Sequence, residues 1–193
     1  MSDTPQNVPT ASQTVGPFFS IGLCLPPTMN HLVPAGHSAD AQVITISGRV
    51  LDSDGQGVPD AVLEIWRADE NGEYSNTGDP TPEGQPSGFA RIPTNDDGKF
   101  EFRTIKPGAT ISDTGQTNAP HFVVVIFMRG LLRHLFTRIY FPQEQANAAD
   151  PVLQRIPAER KHTLIAERAR DCESDLSWNV RLQGEAETVF FDF

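Results

Sequence analysis

Runs of alternating apolar and polar residues, each ended by a glycine-, proline- or aspartate-rich turn, constrain this chain more than any other feature in it. Successive side chains on a strand point to opposite faces, so each run places one row on a core and the other outward. In residues 43–50, Ile44, Ile46 and Gly48 alternate with Val43, Thr45 and Ser47. Residues 52–57 form a tight turn around Asp54-Gly55, and residues 61–68 read as its return strand. In that strand Leu63, Ile65 and Arg67 share one face, and Val62, Glu64 and Trp66 the other. A short strand is expected over 89–92. Beyond the turn at 95–98, Phe100, Phe102 and Thr104 alternate with Lys99, Glu101 and Arg103. Residues 121–129 are apolar on both faces, as a central strand requires, and 135–141 is the natural neighbour. Leu176, Trp178, Val180 and Leu182 share a face near the C-terminus. Only residues 143–149 and 158–170 read as helical. Short strands with late, minor helices and long loops at 69–88 and 107–120 predict an all-β fold, an antiparallel β-sandwich.

A chain of 193 residues suffices for one domain with a sizeable core. The net charge of −10 argues against nucleic acid and against an anionic membrane surface, both of which attract basic faces. No apolar run approaches the ~20 residues of a membrane helix, and residues 1–11 lack the basic and apolar regions of a secretory leader. Cys24 and Cys172 lie far apart and outside any Cys-x-x-Cys pattern, so two free thiols in a reducing cytoplasm are expected. Residues 1–40 read as an N-terminal arm and loop, and 41–193 as the sandwich. Phe18, Phe19, Ile21 and Leu23, set between glycines, give the arm a reason to dock on a partner.

Metal chemistry has little support from spacing. No two of His31, His37, His121, His134 and His162 stand at i, i+2 or i, i+4, and His31 and His37 read as surface residues. His121, alone at a strand start, is either a satisfied structural histidine or a ligand. Tyr140 reads as a core phenol with a hydrogen-bonded tip, whereas Tyr74, on an Asn-Gly turn, suits a rim or ligand role. Gly-x-Ser-x-Gly, Gly-x-Gly-x-x-Gly and Walker patterns are absent. Against the acidic background, Arg129, Arg133, His134 and Arg138 fall within ten residues. They are either a solvated hairpin tip or include one guanidinium facing a pocket, for which Arg129, ending the apolar strand, is the first candidate.

Several stretches together resemble the intradiol aromatic-ring dioxygenases. They are Ser-Gln-Thr-Val-Gly-Pro-Phe at 12–18, Val-Leu-Glu-Ile-Trp-Arg-Ala-Asp at 62–69, Asn-Gly-Glu-Tyr at 71–74, Thr-Ile-Lys-Pro-Gly at 104–108, Ala-Pro-His at 119–121, Thr-Arg-Ile-Tyr-Phe at 137–141 and Gly-Glu-Ala-Glu-Thr-Val-Phe-Phe-Asp at 184–192. The family holds non-haem Fe(III) with two tyrosinates and two histidines, and opens the ring of a catechol with O2. Carried over by position, the ligands fall on Tyr74, Thr110, His121 and Val123. Valine cannot ligate and a threonine hydroxyl is a poor ferric ligand, so the resemblance implies a chain that binds no iron itself. Such a chain is an alpha-type subunit, obligately assembled with a beta subunit that carries the Fe(III). It lends walls to the pocket for a small aromatic substrate and O2. The positions implied for substrate contact are Thr14, Gly16, Pro17, Phe18, which stands where relatives often have tyrosine, and Arg129, near a substrate carboxylate. No catalytic residue is expected in this chain.

Overall fold

A computed structural model describes residues 10–25, 32–33, 41–74, 88–169 and 174–192. His31, His37 and Cys172 lie outside the described residues, as does most of the long loop at 69–88. The elements run α1 (Phe19–Leu23), β1 (Val43–Leu51), β2 (Val62–Arg67), β3 (Phe89–Pro93), β4 (Lys99–Ile105), β5 (Thr110–Ile111), β6 (Thr117–Asn118), β7 (His121–Phe127), β8 (Leu135–Tyr140), β9 (Glu167–Arg168), β10 (Asp175–Ser177) and β11 (Val180–Arg181). Among the described residues no helix is long and apolar enough to cross a membrane.

Two sheets face each other. One carries β1 with β4 on one side and β10 and β11 on the other, β9 lying beyond β10. The second has the order β3-β2-β7-β8 and is antiparallel throughout. The alternation predicted from sequence selects the inner rows. Ile44, Ile46 and Val50 of β1, with Phe100 and Phe102 of β4, meet Leu63 and Ile65 of β2 and Phe122, Val124 and Ile126 of β7. Each such side chain taken fully out of water contributes about 1.5–3 kcal/mol before entropy is counted. Phe102 and Phe122 meet edge-on across the core, centroids 5.9 Å apart.

Two expectations are corrected, and the expected β-sandwich is observed with one of its sheets mixed. Residues 61–68 do not return beside 43–50: β1 takes β4 as its antiparallel neighbour, and β2 crosses to the opposite sheet. The turn is real, with Leu51 bridging Gly57, but it closes only a short loop before the chain crosses over. The sandwich is not purely antiparallel either, because β10 and β11 both run parallel to β1. Between them Trp178 and Asn179 arch over Gly48, where any Cβ would collide with the Trp178 carbonyl; glycine is there for space. Finally, the helical stretches are short and tight. Residues 143–149 yield a 3₁₀ segment, Gln145–Ala149, and 158–170 yields another, Ala158–Leu164. The chain then extends so that β9 can pair with β10, and backbone pairing overrides local helical spacing.

Leu32, inside the stretch read as arm and loop, is fully buried in the main core. The buried Arg67 holds it there: Nε donates to the Leu32 carbonyl at 3.2 Å and Nη1 to the Ala68 carbonyl at 2.9 Å. Burial pulls this guanidinium below its ordinary pKa, partly offset by Glu70 and Asp69. A second, smaller core lies on the outer face of β7 and β8, where Tyr140, Leu153, Leu164 and Val189 pack under the 3₁₀ segments.

Candidate functional site

The positions singled out from sequence gather at the two ends of β7. At its start, a strand's alternation sets His121 and Val123 on the outer face. Register places His121 opposite Tyr140 and Val123 opposite Arg138, so these four form two adjacent rows. On its other side Val123 faces Trp66 of β2. Tyr74 arrives on a turn that Asp69 organises, its Oδ1 accepting from the Asn71 and Glu73 amides at 2.9 and 2.8 Å. Gly72 has φ +87°, and a Cβ there would strike the Ala109 carbonyl. That close approach, with Gly108 N donating to the Asp69 carbonyl at 2.8 Å, fixes the Tyr74 turn against the strand carrying Thr110.

The polar atoms in this cluster are committed to one another. The Tyr140 hydroxyl donates to Asp150 Oδ1 and accepts from Arg138 Nη1, both at 3.1 Å. Asp150, fully buried, also accepts the Ala119 amide on Oδ2 at 2.9 Å and the Val152 and Leu153 amides on Oδ1 at 2.9 and 2.8 Å. His121 is buried; its Nδ1 lies 2.7 Å from the Ala119 carbonyl, which sets Nδ1 as the protonated nitrogen. Its ring tilts over Tyr140 with centroids 5.6 Å apart. Burial, with the Arg138 charge adding to it, pushes the imidazole down to about 4, so it is neutral. Burial also raises the Tyr74 and Tyr140 phenols above their ordinary values, and Arg138 opposes the rise in both. One guanidinium therefore acts on Tyr74, His121 and Tyr140 together.

These donors do not fit a ferric ion. Val123 offers no lone pair, and the buried Thr110 hydroxyl accepts from Asn118 Nδ2 at 3.4 Å. A cationic side chain stands among the positions where anionic ligands are needed. Among the described residues no three or more of His, Cys, Asp and Glu cluster as a metal site.

The other end of β7 is open. Thr14 Oγ1 accepts from the Gly130 amide at 2.8 Å, which fastens the N-terminal segment beside Arg129. Gly16, Pro17 and Phe18 follow at once, and Phe18 is 74% exposed. A Cβ on Gly16 would meet nothing within 4 Å, so the chain itself makes no use of that space. Arg129 is half exposed, its Nη2 3.2 Å from Asp60 Oδ2. Leu132, Gln13, Val15, Phe127 and His134 line a shallow groove alongside. At about 3.3 Å per residue, the length of β7 puts about 20 Å between the two clusters.

Sequence reasoning ranked Arg129 first in a basic cluster that also held Arg138, and missed Asp150 altogether. The signal for Arg138 was present: Arg138 and Tyr140 share one strand face, as do His121 and Val123. It becomes readable only when the two strands are paired in register. Asp150 carried no such signal, because most of its partners are backbone amides.

Comparison with known proteins identifies the family. The family model described as Dioxygenase matches residues 16–184. The chain is 42% identical to the protocatechuate 3,4-dioxygenase alpha chain of Burkholderia cepacia, covering 95% of this chain and 96% of that one. It is 31% identical to the beta chain from the same organism over 66% of this chain and 57% of the relative. The 3-chlorocatechol 1,2-dioxygenase structure from Rhodococcus opacus 1CP superposes with a TM-score of 0.63 at 21% identity, covering 93% of this chain and 69% of that one, and shares its fold. Matched by the family model over residues 16–184 and by an alpha chain over 95% of its length at 42% identity, the chain belongs to the intradiol dioxygenase family.

Proposed function

We propose that this chain is the alpha subunit of a protocatechuate 3,4-dioxygenase. It would assemble obligately with a beta subunit and complete the pocket in which protocatechuate (3,4-dihydroxybenzoate) is opened by O2 to 3-carboxy-cis,cis-muconate, a step of cytoplasmic aromatic catabolism. The observation that carries this reading is near full-length similarity to an alpha chain, combined with a ligand set that Val123 and Thr110 break. Fe(III), held by the beta subunit, supplies the binding and activation of the catechol oxygens. This chain contributes shape and charge at the open end of β7. Thr14 fixes the N-terminal segment, Gly16 and Pro17 permit close backbone approach to a flat ring, and Phe18 forms an apolar wall. Arg129 has a planar fork suited to the substrate carboxylate, for which Asp60 acts as a placeholder. In this reading residues 1–40 are the arm that docks on the partner, with Phe18 and Ile21 as its apolar contacts.

The test is iron content and ring-cleaving activity of the chain with and without a beta subunit. Alone it should be colourless and inactive, and active only in the complex. Stoichiometric iron with activity in the isolated chain would overturn the reading, as would a beta subunit indifferent to its presence. In the complex, Arg129→Ala should raise KM for protocatechuate by about ten- to a hundredfold, equivalent to about 1–3 kcal/mol. It should leave a catechol without the carboxylate nearly unaffected.

A further inference from the structure

We propose that the Arg138 guanidinium takes the place of the metal in the closed cluster: a fixed organic cation, carried on the strand opposite Val123, that keeps metal ions out even when the missing donors are supplied. Register sets Arg138 directly across from Val123, the position of a lost histidine ligand, and beside the His121–Tyr140 row. Its side chain runs along that row, because Nη1 reaches the Tyr140 hydroxyl two residues on at 3.1 Å. It thus lies alongside the His121–Tyr140 row, and its charge acts on both the His121 ring and the Tyr74 phenol arriving from its turn.

The surroundings are built for a monovalent cation. Tyr140 accepts from Arg138 and directs its own proton toward the buried Asp150 carboxylate, so positive and negative groups flank one phenol. Three backbone amides hold Asp150 in place. In this arrangement a small, highly charged cation would meet a like charge it could not displace without breaking the Arg138–Tyr140 hydrogen bond. Loss of ligands and gain of the guanidinium are two separate barriers. The lock depends on where the family's ligand positions fall, not on the subunit role, so it stands or fails apart from that reading.

The experiment restores the donors with and without the arginine. Full-length chain carrying Thr110→Tyr and Val123→His is compared with the same chain carrying Arg138→Gln as well. Both are grown and purified with added iron, and their fold is checked by circular dichroism and thermal melting. The double variant should hold less than about a tenth of an iron per chain. The triple variant should hold about one and show visible tyrosinate-to-iron absorption. Equal iron in the two overturns the lock, and so does a folded triple variant that stays metal-free. Should the Thr110→Tyr substitution prevent folding, Val123→His and Val123→His/Arg138→Gln are titrated with Co(II) and read by its visible absorption. Removing the arginine should tighten cobalt binding at least about tenfold, and no difference between the two sinks the proposal.

Discussion

The His121 end of β7 and the Arg129 end are joined by one strand and differ in nearly everything else. At the first, Asp150, Tyr140 and the partly buried Arg138 are joined by hydrogen bonds, while the buried His121 bonds the Ala119 carbonyl and packs its ring on Tyr140. At the second, Phe18, Ile21 and Leu132 stand 74%, 71% and 64% exposed, and Arg129 shares a solvated ion pair. Such a difference separates a place where the chain has satisfied its own chemistry from one where satisfaction must come from outside. Buried polar groups that are fully paired rigidify a fold. Exposed apolar ones in a cluster mark a surface meant to be covered.

The contrast can be broken most sharply at Asp150. Asp150→Ala strands three backbone amides and the Tyr140 hydroxyl, and should lower stability by about 4 kcal/mol in urea denaturation. A loss below about 1 kcal/mol would mean that the closed end is not a network. Acid should loosen the same end. The imidazole of His121 is pushed down to about 4 in the folded chain, below the ordinary 6.5 of the unfolded one. Between these values the unfolded state binds more protons, so stability is full above pH ~6.5 and falls as pH drops toward ~4, by at most about 3 kcal/mol. His121→Phe should remove that slope, and an unchanged slope would place the titration elsewhere. The open end should behave in the opposite way. Phe18→Ala should shift the melting of the isolated chain by less than about 0.5 kcal/mol equivalent, yet weaken assembly with a beta subunit about tenfold or more. A stability loss above about 1 kcal/mol would show that Phe18 serves this chain's own core. Smallest of all, Arg129→Ala should change stability by about 0.5 kcal/mol or less, because its ion pair with Asp60 is half exposed on both sides.

Which side of each strand faces inward was legible in the residues, since alternation at Ile44/Ile46, Leu63/Ile65 and Phe100/Phe102 states it directly. Which strands become neighbours was not. A period of two fixes the face, not the partner, so β2 was read beside β1 when it belongs to the opposite sheet. Leu32 sits in a proline-rich stretch with no periodic context, and nothing local announces its burial. The motifs also led to Tyr74, His121 and the two broken ligand positions. The cross-strand relation between Val123 and Arg138 was not legible, because it appears only once register is known.

Parallel pairing of β1 with β10 and β11 has a consequence in time. Arg49 donates its amide to the side chain of Asn179, 130 residues along the chain. One edge of β1 must therefore wait until residues 175–181 have left the ribosome. Closing so long a loop is slow, and an uncovered strand edge invites association meanwhile. Removal of residues 174–193, which carry β10 and β11, should therefore yield aggregates in place of a shortened native protein, read by light scattering.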